Sequence, residues 1–444
     1  MRLASTYLKS NVRLLCSFPK AAFPFSVPRE TTAWMQEVES CPSLVTRHCL
    51  ARHHVTDLCY TRCAEAFQEA NVSAGENASS VDACMYRLEL TKPDGRKLTL
   101  FSRRAIDEVA AAPSPRLEPA RPNPHFRWHP LRGEWVAYAA YRQDRTFLPP
   151  PEYNPLQPCT DPANPTELPT GDYDIAVFDN LFPTLSFEAH EPPQLAIETK
   201  PGIGHCEVVV FTQDAHASLG SLPVDHIALL IEVWAERTRS LAATGEIRYV
   251  LPFENRGVEV GVTLHHAHGQ IYGYPFVPPL PQRMNQMECD YHRSRGRVLL
   301  QDLIAEELRS AARVLYSGPH AVAFLPPWAR YPYEVWVAPV KARAHLADLD
   351  APERADLAVA LKTVLLKYDG LWQRPFPYIM AWYQAPTDGA AHPEAHLHAE
   401  FYPPYRTREK LKYLAGTEIA AGLFASDALP EDKARELQAV NVSF

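Results

Sequence analysis

The segment FENRGVEVGVTLHHAHGQ, residues 253–270, places three histidines, His265, His266 and His268, within four positions and follows them with Gly269 and Gln270. In a strand, alternate side chains share a face, so His266 and His268 point one way while His265 and Ala267 point the other. A same-face histidine pair after a glycine-bearing loop is a site pattern rather than a core pattern. The chemistry it suits is attack on phosphorus. A neutral imidazole whose Nδ1 proton is held by an acceptor keeps a free lone pair on Nε2 and is a good nucleophile. We assign His268 as the nucleophile and His266 as its catalytic partner. Metal binding is the other use of such a pair, and it falls on His266. Gln270 can donate to a phosphoryl oxygen but cannot act as a general acid near neutral pH. It suits holding a covalent nucleotidyl-enzyme until a second phosphate arrives, which predicts ping-pong kinetics. Gly269 is expected to let the backbone approach that phosphate closely.

An anionic substrate needs donors around it. Arg142 and Arg145, in YRQDR after a strand-like stretch, fit a phosphate clamp, with a solvated turn as the alternative. Asn180 in FDNLFP and Asn255 in FEN sit at strand ends, where they reach ribose or phosphate oxygens, or cap turns.

The elements that place these residues occur twice. CEVVVFTQDAHASLGSL, from Cys206, and YEVWVAPVKARAHLADL, from Tyr333, both run through Glu and alternating Val to a Leu-x-x-Leu element. An amphipathic helix follows each, DHIALLIEVWAERTRSL in the first and PERADLAVALKTVLLKYDGLW in the second. Further on, His266-Ala-His268 precedes IYGYPF, and His396-Leu-His398 precedes EFYPPY. The reading is an α+β fold of two pseudo-symmetric halves, each an antiparallel sheet with packed helices, because duplicated units bury their sheets better together. Residues 85–278 form the first half and 279–444 the second. Around the repeat, MYRLELTKPDGRKLTLFSRR reads as strand, turn, strand, and RWHPLRGEWVAYAAYRQDR as a hairpin. YDIAVFDNLFPTL and EIRYVLPFEN read as strands, residues 105–125 as an Ala/Pro linker and 148–170 as a Pro-rich loop.

A net charge of -8 excludes a generally basic, nucleic-acid-binding surface. No apolar run reaches the roughly 18–20 residues that a membrane-spanning helix needs, so no membrane partner is expected. Six of the nine cysteines, Cys16 to Cys84, precede residue 85. A secreted disulfide framework would place them in the body of the fold, so a reducing, cytoplasmic compartment is expected. Residues 1–84 are an atypical extension whose start is basic and lacks acids until Glu30. It reads as an organelle-targeting segment or as a translation start placed too far upstream. Its Cys49, His53, His54, Cys59 and Cys63 fit no tetrahedral zinc spacing.

From about residue 86 onward, RWHPLRGEWV, YRQDR, VFDNLFP, FENRGVEVGVTLHHAHGQIY, LHAEFYPP and LKYLAGTE together resemble the galactose-1-phosphate uridylyltransferases, of the histidine-triad superfamily. The resemblance implies two histidine-triad-like halves and a homodimer. It also implies transfer of UMP from UDP-glucose through a histidine to galactose 1-phosphate or a related hexose 1-phosphate, with no organic cofactor. By position it makes His268 the nucleophile and Gln270 the holder of the transferred phosphate. It likewise makes Arg142, Arg145, Asn180, Asn255, Gly261 and Thr263 nucleotide contacts, and Lys412 and Glu418 sugar-phosphate contacts. The family's structural zinc implies His216 and His266 as ligands, but Asn154-Pro155-Leu156-Gln157 stands where two cysteines belong, and amides are poor substitutes for thiolates. Zinc is therefore doubtful, with Cys159 as a conceivable replacement ligand. Iron is not expected: its paired histidines are represented by His398 and Glu400, Met284 stands for a carboxylate, and Arg343 or Ala342 for a histidine. The competing readings are a nucleotide phosphorylase of the same superfamily, using the same His268 with phosphate as acceptor, and a catalytically dead nucleotide-binding protein.

Overall fold

The computed structural model describes residues 85–107, 109–119, 121–144 and 153–444. Arg145 and the whole extension 1–84, with its leader-like start and Cys/His cluster, lie outside the described residues. In chain order the first half contains β1 (Tyr86–Thr91), β2 (Lys97–Ser102), β3 (His125–His129), β4 (Glu134–Tyr138), β5 (Ile175–Asp179), β6 (Thr199–Pro201) and β7 (His205–Val210). Helix α1 (Val224–Ala242), β8 (Tyr249–Arg256) and β9 (His268–Tyr274) complete it. Two helices, α2 (Pro279–Arg295) and α3 (Leu299–Ser310), lead into β10 (Val314–Ser317), β11 (Ala321–Phe324) and β12 (Val335–Pro339). Helix α4 (Ala351–Trp372), β13 (Tyr378–Tyr383), β14 (His398–Tyr402) and α5 (Pro430–Gln438) follow.

Eleven strands form one antiparallel sheet in the order β1-β2-β5-β7-β9-β8-β13-β14-β12-β11-β10. The order is symmetric about the β8–β13 pair: outward from it come β9, β7 and β5 on one side and β14, β12 and β11 on the other. The two copies inferred from the sequence are thus related by an approximate twofold axis through this seam. Both Leu-x-x-Leu elements are short 3-10 turns with buried leucines, Leu219 and Leu222 in one half and Leu346 and Leu349 in the other. They lead into α1 and α4. Leu, Ile and Val along these two helices join Val209, Ile271, Val337 and Phe401 of the sheet in a single core that spans both halves. Side chains of this size contribute roughly 1.5–3 kcal/mol each when fully buried. Trp234 of α1 and Trp382 of β13 meet across the seam at 5.9 Å, and Arg256 of β8 is paired with Asp369 of α4 at 2.8 and 3.0 Å.

The other face of the first half carries a smaller core. Leu156 and Leu168 of the Pro-rich loop pack on Leu98, Leu100, Ala176, Phe178 and Val210. Arg96 fastens the same loop: its guanidinium bonds Glu167 at 2.8 Å, Asp94 at 2.7 Å and the Asp179 carbonyl at 3.0 Å. Lys92 adds a second bond to Glu167 at 2.7 Å. Separately, β3, β4 and β6 form a small sheet in which β3 and β4 are the expected hairpin, turning at residues 130–133.

On the helix-covered face, Asp179 lies directly opposite Glu207 on the neighbouring strand, and His205 is two residues from Glu207 on the same side. The His205 Nε2 atom is 3.1 Å from Asp179 and 3.4 Å from Glu207, while Arg237 of α1 grips both oxygens of Glu207 at 2.6 and 3.1 Å. Burial disfavours charge on His205, but hydrogen bonds and charge from the two carboxylates outweigh it and push its pKa up to about 10. Burial likewise opposes the Glu207 carboxylate, and Arg237 with His205 pulls its pKa down to about 2. The raised histidine contributes its full stability below its ordinary value of 6.5 and loses it as pH climbs toward about 10. The depressed Glu207 contributes fully above 4.5 and loses its share as pH falls toward about 2. The melting temperature should therefore decline on both sides of that window. His205→Gln should flatten the alkaline decline specifically; an unchanged alkaline slope in a thermal-shift titration would refute the assignment.

Candidate functional site

His268 opens β9 and pairs with Val210 of β7. Its Nδ1 lies 2.7 Å from the main-chain oxygen of His266. A carbonyl can only accept, so Nδ1 carries the proton and Nε2 keeps its lone pair. Burial lowers the His268 pKa, with the neighbouring His266 adding to the effect and the Nδ1 hydrogen bond opposing it. The ring is therefore a neutral nucleophile of fixed tautomer. It lines a cavity of about 180 Å³ together with Gln270, Asn180, Arg142 and Thr263. Phe178, Val208, Leu156 and Leu264 give that cavity apolar walls fit for a flat base, and Tyr153 and Glu167 enclose it from the loop.

The polar groups are set before any ligand arrives. Asn180 donates to Gln270 Oε1 at 3.3 Å and accepts from the Phe182 N–H at 2.9 Å, which leaves the Gln270 amide hydrogens available to an oxyanion. Arg142 lies in the 3-10 turn Ala140–Asp144 and donates to the Phe182 carbonyl, so turn and Asn180 loop hold each other at the cavity rim.

Four expected residues therefore meet His268 at one cavity: Gln270, Arg142, Asn180 and Thr263. The other described ones do not line it. His266 is buried ahead of β9, in a bend where strand alternation does not reach, so it does not share the cavity face with His268. Its Nε2 lies 2.7 Å from the Thr212 carbonyl and its Nδ1 lies 3.0 Å from Asn154 Nδ2. Its contribution at this site is its main-chain carbonyl rather than its ring. Gly269 is also corrected. A Cβ there would sit 2.7 Å from the Phe253 carbonyl and 2.9 Å from the Phe211 ring, so the close approach it permits is to neighbouring strand and core, not to a phosphate. Gly261 has φ of 80°, the left-handed conformation that ends the turn after Val260. Asn255 lies beside Ile379 at the β8–β13 seam. Lys412 is buried and donates to the Ala425 carbonyl at 2.6 Å, with Glu418 3.4 Å away. Both belong to one folded loop outside this cavity.

The donors around His266 do not fit a structural zinc. Both of its ring nitrogens are hydrogen-bonded, one of them to the Asn154 amide, and His216 is exposed. Cys159 turns its thiol toward the Asp161 carbonyl at 3.6 Å. Among the described residues, the group of His, Cys and carboxylates close enough to share one cation is Asp179, His205 and Glu207, where Arg237 already supplies the countercharge. In the second half, His398 donates from Nδ1 to the His396 carbonyl at 3.0 Å, as His268 does to His266, but its Nε2 is taken by Glu400 at 3.1 Å. The cavity beside it is about 20 Å³.

Sequence reasoning missed Asn154 as a contact of His266, and Glu167, Tyr153 and Phe178 as cavity walls. The available signal was the density of prolines around Asn154, which marks a stiff loop rather than a loose one.

Fold and site together define a class: a two-half α+β protein with a neutral, tautomer-fixed histidine facing a cavity rimmed by an arginine and amides. Known proteins specify it further. Residues 116–278 match the family model for the galactose-1-phosphate uridyl transferase N-terminal domain and residues 284–443 that for its C-terminal domain. The chain is 36% identical to galactose-1-phosphate uridylyltransferase of Thermotoga maritima over 326 residues, covering 71% of this chain and 98% of that one. The Rattus norvegicus galactose-1-phosphate uridylyltransferase is 31% identical over 334 residues, 71% of this chain and 87% of its own. A solved uridylyltransferase structure superposes with a TM-score of 0.63 at 32% identity, over 71% of this chain and 98% of that one. An Arabidopsis thaliana ADP-glucose phosphorylase with bound ADP-glucose shares the fold, with a TM-score of 0.54 at 23% identity, over 72% and 100% of the two chains. The chain belongs to the galactose-1-phosphate uridylyltransferase family.

Gly269→Ala tests the strand packing behind the nucleophile. The added methyl meets a main-chain oxygen that cannot move aside, so stability should fall by about 1–3 kcal/mol, the usual range for overpacking. Urea unfolding midpoints measure it, and wild-type stability would show that the sheet has room to spare.

Proposed function

We propose that this chain is a hexose-1-phosphate uridylyltransferase working by ping-pong transfer of UMP. The observation that carries the reading is the His268 ring, held by Nδ1 on its own backbone, its Nε2 left with a lone pair, in the wall of the cavity. In the first half-reaction Nε2 attacks the α-phosphorus of UDP-glucose. A P–N bond forms, the bond from that phosphorus to the bridging oxygen breaks, and glucose 1-phosphate leaves. In the second, a phosphate oxygen of galactose 1-phosphate attacks the same phosphorus, the P–N bond breaks, and UDP-galactose departs. Arg142 and the Gln270 amide offset charge on the phosphoryl oxygens. Thr263 and the apolar walls seat the nucleoside. No organic cofactor enters this scheme.

The protein acts as a homodimer in this reading. Tyr413, Leu414, Ile419 and Leu423 leave apolar surface exposed on the loop that carries Lys412 and Glu418. A second copy covering that loop supports a route for these residues to a sugar phosphate that they do not have at the cavity of their own chain. Among the described residues no helix is long and apolar enough to cross a membrane.

The experiment is incubation of the purified protein with UDP-glucose and no acceptor, followed by intact mass. A gain of one UMP is expected, absent in His268→Ala and discharged by galactose 1-phosphate. A gain with an adenine nucleotide instead, discharged by inorganic phosphate, would establish the phosphorylase reading. No covalent species with any nucleotide would leave a binding protein and end the transferase reading.

A further inference from the structure

We propose that Asn154 does by hydrogen bonding what a metal ion would otherwise do here: it fixes the His266 ring, and through that residue the carbonyl that orients His268. The orientation of the Asn154 amide is determined by its neighbours. Its Oδ1 accepts the Leu156 N–H at 3.0 Å, which leaves Nδ2 to donate to His266 Nδ1 at 3.0 Å. With Nδ1 accepting, His266 carries its proton on Nε2 and donates it to the Thr212 carbonyl at 2.7 Å. Neither ring nitrogen keeps a lone pair for a cation. Binding one would require breaking the Asn154 bond in exchange for a ligand set poor in thiolate.

The amide also joins two parts of the site. Tyr153, Pro155 and Leu156, its immediate neighbours, line the cavity, and Leu156 is anchored in the loop core. On the other side of the amide lies His266, whose carbonyl receives the His268 Nδ1 proton at 2.7 Å. Asn154 thus ties the cavity wall to His268 through three bonds that converge on His266: Asn154 on its Nδ1, the Thr212 carbonyl on its Nε2, and His268 on its main-chain oxygen. Groups that orient a functional histidine typically change activity by 10–100-fold when removed. Asn154 is a positioning residue of that kind, and the reaction should proceed without divalent metal.

Only the kinetic arm of the test rests on the transfer reading. The full-length protein would be treated with EDTA and phenanthroline, analysed for metal by mass spectrometry, and assayed for single-turnover uridylylation. Zinc far below one per chain and an unchanged rate after chelation are expected. Stoichiometric zinc, or activity lost to the chelators and restored by zinc, would overturn the proposal. Asn154→Asp keeps the oxygen that accepts from Leu156 but loses the donor to His266. It should cut the uridylylation rate by about 10–100-fold, with a much smaller change in KM for UDP-glucose. A wild-type rate, or a change in KM alone, would make Asn154 a loop staple and nothing more. Should the variant fold poorly, nitrogen NMR of histidine-labelled wild type decides. His266 should show an unprotonated Nδ1 and a protonated Nε2, insensitive to chelation, and the opposite tautomer would refute the scheme. If the wild type formed no adduct, the transfer reading would fail, while metal content and ring spectra would still settle the role of Asn154.

Discussion

The hydrogen bond from His268 Nδ1 to the carbonyl two residues back is the constraint on which the site depends. It decides which nitrogen keeps its lone pair, and it ties the ring to the backbone rather than to a mobile side chain. A carbonyl makes a good partner because it cannot donate and therefore permits one tautomer only. The bond is as rigid as the chain at residues 266–268. That chain is held by pairing of β9 with β7 on one side and β8 on the other. The long sheet is thus what gives the imidazole a fixed direction, and preorganised direction is what a small cavity needs to favour in-line attack.

The second half shows how little separates a reactive histidine from an inert one. His398 repeats the backbone bond to the residue two before it, at the start of the equivalent strand. One position then changes the outcome. Gln270 leaves the Nε2 of His268 alone, whereas Glu400, two residues after His398, accepts from that nitrogen. With both nitrogens donating, His398 is an imidazolium. Burial opposes the charge, but the Glu400 bond and charge raise its pKa nonetheless. Trp336 stacks on the ring at 4.7 Å, and the adjoining space has closed. The second half has the same scaffold and histidine, but its carboxylate, where the first half has an amide, occupies the nitrogen that the first half leaves free.

These relations differ in how far the sequence displays them. Alternating valines and the Leu-x-x-Leu elements fall where the pattern puts them, and a strand begins at the second histidine of each His-x-His, because period and turn chemistry act locally. That His268, Gln270, Arg142 and Asn180 meet at one cavity was legible for the same reason: they sit at strand ends or in short motifs. Helices α2 and α3 were not assigned. Except for Pro281, α2 buries none of its residues fully, so it shows little amphipathic signal. The roles of His266 and Gly269 were misread because each depends on a neighbour distant in sequence: Asn154 and Thr212 for the first, Phe211 and the Phe253 carbonyl for the second. A strand rule assigns faces only where a strand exists, and β9 starts at His268.

The two charge clusters on either side of this sheet explain why the cavity can be both polar and fixed. Buried ions are seldom a net source of stability, but breaking one leaves an uncompensated charge, so they strongly specify geometry. Lys92 and Arg96 meet Glu167 from the β1–β2 turn, and Arg96 also holds the Asp179 carbonyl, one residue from Asn180. Moving Asn180 away from Gln270 would therefore strain a buried guanidinium. On the reverse face Arg237 and His205 hold Glu207, which pairs in register with Ile271 of β9, the residue after Gln270. Each cluster acts on a different neighbour of the Gln270 amide. Apolar packing alone would tolerate small slides of one strand on another, because it is non-directional. Directional, desolvated ion pairs do not, and in this fold they flank Asn180 and Gln270, whose amides line the cavity beside His268.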